Sequence, residues 1–257
     1  MSELNLDLTI PRNRICVALD VNTLEEVEHY VKILAPYVGM FKIGFQLIHS
    51  VGGPQATKVV KDAGGEVFYD CKIKDTQDTM IKAAIDICKQ GVKIFNLHAS
   101  ASVATMLAVR KVTGDTIVAG VTVLTSMTEE DCFHSYGEET KEKVAVFAAD
   151  IANCGLQAVI SAASEASIIK GTSVTSNLIT ITPAIRPIWA APNDQNPDRI
   201  MTPYKAIMGG CDILVIGRPI LQPPAEIGDC VKAVKLILEE VEKALKELKE
   251  RDDQSRH

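Results

Sequence analysis

Gly64-Gly65-Glu66-Val67-Phe68-Tyr69-Asp70-Cys71-Lys72-Ile73-Lys74-Asp75 is the stretch from which the architecture can be read. Glu66-Val67-Phe68-Tyr69 is β-branched and aromatic, and the paired glycines bound it upstream, so the pattern predicts a strand over 66–72. Strand side chains alternate between faces, which sets Asp70 and Lys72 on the side of Phe68 and leaves Val67, Tyr69 and Cys71 on the other. A carboxylate and an ammonium at the end of a buried strand are costly unless they pair. Asp75, just past the strand, offers the same lysine a second carboxylate. One reading is a solvated ion-pair cluster; the other is a charge array kept for chemistry.

Working outward, the same unit recurs. Short apolar runs at 15–20, 40–44, 66–72, 93–99, 116–124, 158–161, 178–184 and 213–218 alternate with helically spaced segments such as Leu24-Val27-Val31-Leu34 and Met80-Ala84-Ile87-Cys88. Eight strands each followed by a helix make a closed (β/α)8 barrel, and short buried strands suit a parallel sheet covered by helices. A doubly wound open sheet is the rival. Against it, the first run ends in Ala18-Leu19-Asp20-Val21-Asn22 and not in a GxGxxG turn.

The chain has 257 residues, 47% of them hydrophobic, which fits one α/β domain, a single-domain TIM barrel over 1–257 with its core at 15–250. Val231, Val234, Leu238, Val241, Leu245 and Leu248 form the apolar stripe of a long last helix, and the charged tail at 251–257 is expected to fray. Two connections are long, 125–137 and 185–201. Both follow strands, on the barrel face where active sites gather.

Composition excludes several function classes. A net charge of −6 argues against non-specific nucleic-acid binding, although a small anionic substrate needs only a local positive pocket. The seven cysteines stand singly with no CxxC pair, which reads as reduced thiols in a cytoplasmic protein, without a disulfide or zinc framework. The N-terminus has no apolar leader pattern, and no apolar run approaches the length of a membrane span.

In a barrel, the strand ends define the site. Asp20, Lys42, Asp70 with Lys72, His98, Thr125-Ser126 and Gly217-Arg218 stand at six of them. Each has a bland account: Lys42 snorkelling, His98 satisfied in the core, Arg218 capping a helix. Together they argue for a site. An alternating row of Lys42, Asp70, Lys72 and Asp75 favours a charged ammonium at Lys72, suited to protonating a carbanion and poorly suited to imine chemistry. The carboxylates offer ligands for a divalent metal, but the interleaved lysines argue against one. Arg218 and the loop after Ile185 match the recurrent phosphate site between strands seven and eight, so the expected ligand is a phosphorylated small molecule.

These residues resemble the orotidine 5'-monophosphate (OMP) decarboxylase family over most of the chain. The resemblance rests on Ala18-Leu19-Asp20, Phe41-Lys42-Ile43-Gly44, Asp70-x-Lys72-x-x-Asp75, Asn96-Leu97-His98-Ala99-Ser100 and Val121-Thr122-Val123-Leu124-Thr125-Ser126-Met127. It continues through Thr182-Pro183-Ala184-Ile185-Arg186-Pro187, Asp194-Gln195, Arg199-Ile200-Met201-Thr202-Pro203 and Val215-Ile216-Gly217-Arg218-Pro219-Ile220. DxKxxD is shared with magnesium-dependent sugar-phosphate decarboxylases, whereas TPxIRP followed by VIGRPI is far more specific. The resemblance implies conversion of OMP to UMP in a homodimeric barrel without metal or organic cofactor. It assigns Lys72 as proton donor, Asp70 beside the leaving carboxylate, Lys42 in the charge network and Asp20 at the ribose. Asp75 and Thr79 match positions that reach the neighbouring subunit's site. Thr125 and Ser126 fall near the base, and Arg186, Gln195, Gly217 and Arg218 match substrate-binding positions, the last for phosphate. A non-catalytic nucleotide-binding barrel is the alternative from a different class.

Three departures from the family pattern stand out. Thr76-Gln77-Asp78 replaces Ile-Pro-Asn ahead of Thr79, and Ile188-Trp189-Ala190-Ala191 stands where relatives often place Gln-Gly. Ala184 replaces the glycine of TPGIRP, so a glycine-only backbone conformation there would carry strain.

Overall fold

A computed structural model describes residues 6–190 and 201–255. Eight parallel strands close into a barrel in chain order: β1 (Ile15–Ala18), β2 (Met40–Ile43), β3 (Val67–Ile73), β4 (Ile94–His98), β5 (Ile117–Val121), β6 (Ala158–Ile160), β7 (Ile179–Thr182) and β8 (Ile213–Ile216). Closure comes from β8 pairing back onto β1, with Cys16 opposite Val215. Helices separate successive strands, as a right-handed parallel crossover requires. The (β/α)8 expectation holds.

Strand alternation divides the core into two layers. Cys16, Met40, Phe68, Ile94, Ala119, Ile181 and Val215 are among the side chains that fill the barrel, while Val17, Phe41, Tyr69, Phe95 and Leu214 face the helices. The strands are shorter than the apolar runs suggested, because the polar residues ending those runs lie past the last ladder pair. Asp20, Gly44 and Ala184 therefore stand in the loops above the barrel, and Arg218 opens the short helix Arg218–Leu221 that follows β8. β3 is the exception and continues to Ile73.

Local sequence sets the helices. Thr23 and Glu26 form a reciprocal capping box at Leu24–Leu34, whose Val27, Val31 and Leu34 are buried. The last helix, Cys230–Ser255, buries Val234, Ile237, Val241 and Ala244, and Val231, Leu238, Leu245 and Leu248 flank that stripe. Residues 251–255 continue this helix, with Arg251 Nη2 2.6 Å from Glu247 Oε1 one turn back; residues 256 and 257 of the tail lie outside the described residues. Among the described residues no helix is long and apolar enough to cross a membrane.

The end of the barrel opposite the predicted site is fastened by one carboxylate. Asp212, just ahead of β8, pairs with Arg14 Nη1 at 2.9 Å and Lys170 Nζ at 2.6 Å, and its Oδ2 accepts the Thr180 backbone N–H at 2.9 Å. These contacts tie β7, β8 and β1 where the barrel closes.

Candidate active site

The charges predicted at the strand ends meet above the barrel core. Lys42 Nζ lies between two carboxylates, 3.5 Å from Asp20 Oδ1 and 3.4 Å from Asp70 Oδ2. Lys72 Nζ is 2.5 Å from Asp70 Oδ1. The row within one chain thus runs Asp20, Lys42, Asp70, Lys72. Asp75 does not join it, contrary to its expected place beside Lys72. Its carboxylate accepts the Thr76 N–H at 2.6 Å as the chain turns into the helix Gln77–Lys89, and it is exposed, as is Thr79. Thr76 finds a polar partner here, its hydroxyl 3.0 Å from that of Thr79.

Burial decides the electrostatics of the row. For Asp70, burial is the largest single influence and opposes ionisation. Lys42, Lys72 and the hydrogen bonds from Lys72 and Asn96 together outweigh it, so the carboxyl lies below its usual range. Burial likewise acts against the Lys42 ammonium, but Asp70 and Asp20 reverse the balance and raise it. His98 closes β4 half-buried. Burial first, then Lys74 and Lys72, hold its imidazole low, so it is neutral at pH 7. The thiol of Cys71 is pushed up to about 12 by burial and is no nucleophile at neutral pH.

Lys72 owes its position to an irregular strand. Tyr69 pairs with Phe95 and Ile73 with Leu97, so β3 carries two more residues than β4 between these pairs. Simple alternation fails across that bulge. Asp70 keeps the inward face of Phe68, whereas Lys72 adopts φ 45°, a left-handed conformation that costs a non-glycine residue about 1–2 kcal/mol. Ala184 is also left-handed, at φ 64°. The backbone there has kept the glycine-type conformation, and the alanine carries its strain. Gly44 is constrained differently: a Cβ on it would stand 2.6 Å from Lys42 Nζ, so a side chain would displace that ammonium.

Two adjoining cavities open at this end. The first, about 220 Å³, is lined by Lys42, Asp70, Lys72 and Thr125 on its polar side and by Val121, Ile160, Ile181 and Val215 on its apolar side. The second, about 140 Å³, shares Lys42, Pro183 and Val215 with it and adds Asp20, Arg186, Gly217 and Arg218. A largely apolar cavity beside a charge row, adjoining a subsite lined by two arginines, suits a small apolar-faced group bearing an anionic arm. Ser126 is exposed next to Thr125 and lines neither cavity. Gln195 lies outside the described residues.

Beside the second cavity, Ile185 bridges to Met201 and the Arg186 N–H donates to the Met201 carbonyl at 3.1 Å. The other long connection is partly helical. Glu129–Tyr136 forms a short helix with a Thr128/Asp131 capping box, a signal the sequence reading passed over. Asn96 was also given no role, although it touches both Asp70 and Lys72. Among the described residues no group of three or more His, Cys, Asp or Glu is arranged to hold a metal ion, and the inward carboxylates face lysines.

A family model described as the orotidine 5'-phosphate decarboxylase / HUMPS family matches residues 13–228. Among curated proteins, the orotidine 5'-phosphate decarboxylase of Syntrophotalea carbinolica is 37% identical over 246 residues, covering 92% of this chain and 98% of that protein. The enzyme of the same name from Pelobacter propionicus is 38% identical over 237 residues, with 90% and 95% covered. Among solved structures, the orotidine 5'-phosphate decarboxylase of Lactobacillus acidophilus superposes with a TM-score of 0.73 at 22% identity, covering 89% of this chain and 99% of that one; at that identity the likeness is one of fold. An uncharacterized conserved protein from Geobacillus kaustophilus gives 0.71 at 26% identity, with 88% and 99% covered.

Proposed function

The chain belongs to the orotidine 5'-phosphate decarboxylase / HUMPS family, and from that footing we infer that it is a carboxy-lyase converting OMP to UMP and CO2 in pyrimidine biosynthesis. The observation that carries the reading is the row Asp20, Lys42, Asp70, Lys72 set beside a largely apolar cavity, next to a subsite bearing Arg186 and Arg218.

The chemistry follows from where charge develops. Breaking the bond between C6 and the carboxylate leaves its electron pair on C6, where the ring stabilises it poorly. The site must therefore favour that carbanion over the bound carboxylate. Lys72 is the proton donor. Its ammonium attracts the growing charge, then transfers a proton to C6, and the resulting amine regains a proton from water. Asp70 lies against the substrate carboxylate, and its repulsion, which eases once CO2 has gone, is largely offset by Lys42 and Lys72. Lys42 fixes Asp70 in place, Asp20 holds the ribose, and Thr125, with Ser126 beside it, meets the base. Arg218 and Arg186 bind the phosphate arm, with Gly217 and Gln195 completing the substrate contacts. Remote phosphate binding then supplies the energy that holds charges and ring together.

The working form proposed is a cytoplasmic homodimer, in which Asp75 and Thr79 enter the neighbouring site. Support comes from their exposure and from Phe45, half exposed with its ring 5.6 Å from Lys72 Nζ. A solution mass of one chain would overturn it.

The deciding experiment follows the fall in OMP absorbance, with and without exhaustive chelation. Sustained turnover after chelation is expected. Activity lost on chelation and restored by magnesium would indicate a sugar-phosphate-decarboxylase type of site, and UMP binding without OMP conversion would mark a non-catalytic barrel. Arg218→Ala should raise KM for OMP by about 10²-fold with a smaller effect on kcat, since a charge-assisted phosphate contact is worth roughly 1.5–3 kcal/mol. An unchanged KM would remove Arg218 from the phosphate site.

A further inference from the structure

Asn96 sits in the middle of β4, fully buried. Ile94, two residues before it, faces the apolar barrel interior, and Asn96 points the same way. An amide in such a layer is costly unless it is hydrogen-bonded. Among the described residues, the Asn96 side chain bonds only to the reacting end of β3. Its Nδ2 donates to Asp70 Oδ1 at 2.7 Å, and its Oδ1 accepts the Lys72 backbone N–H at 2.7 Å. Its carbonyl oxygen accepts from Cys71 Sγ at 3.4 Å. One residue of β4 thus answers three consecutive residues of β3, at the point where β3 carries its two extra residues.

The amide's orientation is fixed by its partners. A carboxylate only accepts and a backbone N–H only donates, so nitrogen must face Asp70 and oxygen must face Lys72. Val67 turns its carbonyl to β4 and Glu66 turns its own to β2, so in a regular ladder the Lys72 N–H would face β2. At φ 45° that register is lost, and the N–H meets the side-chain amide of Asn96 on β4 instead.

We propose that Asn96 is a positioning residue for decarboxylation, its single amide clamping the Asp70 carboxylate and the left-handed Lys72 backbone in one fixed relation. The inference rests on the reading of Lys72 as proton donor. Asn96 touches no substrate in this account; it sets where the ammonium and the carboxylate stand relative to C6. Side-chain truncation at position 96 frees the bulge to relax toward an ordinary strand, which carries Lys72 away from the reacting carbon.

The test uses the full chain with OMP and two variants. Asn96→Ala should fold, keep KM within about threefold and lose kcat by about 10²-fold, the cost of a misplacement near 1 Å. Exchange of the Lys72 backbone amide should quicken at least about tenfold, as expected when an N–H loses its buried acceptor. Asn96→Asp separates positioning from mere packing. A neutral carboxylic acid can donate to Asp70 and accept from Lys72 as the amide does, whereas a carboxylate cannot donate and repels Asp70. Its kcat relative to wild type should therefore improve at least about tenfold from pH 8 to pH 5, and this trend decides the matter if the alanine variant does not fold. An alanine variant with kcat within about threefold of wild type, or an aspartate variant with a pH-independent deficit, overturns the inference. Wild-type turnover is the control: without it the decarboxylase reading fails, and with it an unaffected Asn96→Ala overturns the positioning role alone.

Discussion

Lys72→Ala is expected to lower kcat for OMP by at least about 10⁴-fold while leaving the barrel folded, since in the proposed mechanism Lys72 supplies both the proton and the charge facing C6. Folding should survive for three reasons. The Lys72 side chain is 26% exposed, so truncation opens no sealed cavity. Asp70 keeps Lys42 and Asn96 as partners, so no buried carboxylate is orphaned. Alanine also bears the left-handed backbone at about the same cost as lysine. Circular dichroism and UMP binding would verify the fold, and turnover within about tenfold of wild type would sink the assignment of Lys72. The same variant tests the dimer. Asp75→Asn should be crippled alone, because in the proposed homodimer the carboxylate it removes serves the neighbouring site. Hybrid dimers of the two variants then hold one doubly altered site and one fully native site. A statistical mixture should regain about a quarter of wild-type activity. No recovery on mixing would place Asp75 outside the partner's site.

The fold was legible because the barrel writes itself locally. Each strand lies in a short apolar run, and several of these runs carry a charged or imidazole side chain at or near their end: Asp20, Lys72, His98 and Arg218. Those endings also gave the site, since a parallel barrel delivers all its strand ends to one face. Features that depend on pairing between strands were not legible. The bulge in β3 exists only relative to β4, so alternation placed Asp70 correctly but not the conformation of Lys72. Asn96 was silent for the same reason: a polar residue in an apolar strand shows its purpose only when its partners are known. Asp75 misled because nearness in sequence to Lys72 did not become nearness in space, the helix start having claimed its carboxylate. The helix at 129–136 was missed although its Thr128/Asp131 box was on view, because a long polar connection was taken whole as loop.

Asp70→Asn should be the most informative change of similar shape. Every neighbour of that carboxylate is a donor: Lys72 Nζ and Asn96 Nδ2 on Oδ1, Lys42 Nζ facing Oδ2. An amide offers one accepting oxygen, so its nitrogen must confront a donor, and two ammonium groups lose their shared counter-charge. The expected cost is roughly 3–5 kcal/mol of stability, the range for breaking a buried pair on one side, and a fall in kcat of about 10³-fold or more. The pH dependence has a definite sign. Asp70 titrates lower in the folded chain than in the unfolded one, so its contribution is complete above the unfolded carboxyl value near pH 3.9 and is lost as pH falls through the folded value. Denaturation of wild type and variant should therefore differ most at neutral pH and converge in acid. A gap that widens in acid would contradict an ionised, lysine-bound Asp70. Kinetics then separates the two ways this carboxylate can act. If it raises the energy of bound OMP by repulsion, removing its charge lowers KM along with kcat. If it serves only to hold Lys42 and Lys72 in place, kcat falls and KM does not. The 3.4 Å and 2.5 Å contacts to the two lysines leave Asp70 strongly neutralised before substrate arrives. Loss of kcat with little change in KM is accordingly the expected result, and a KM lowered by about tenfold or more would restore repulsion to first place.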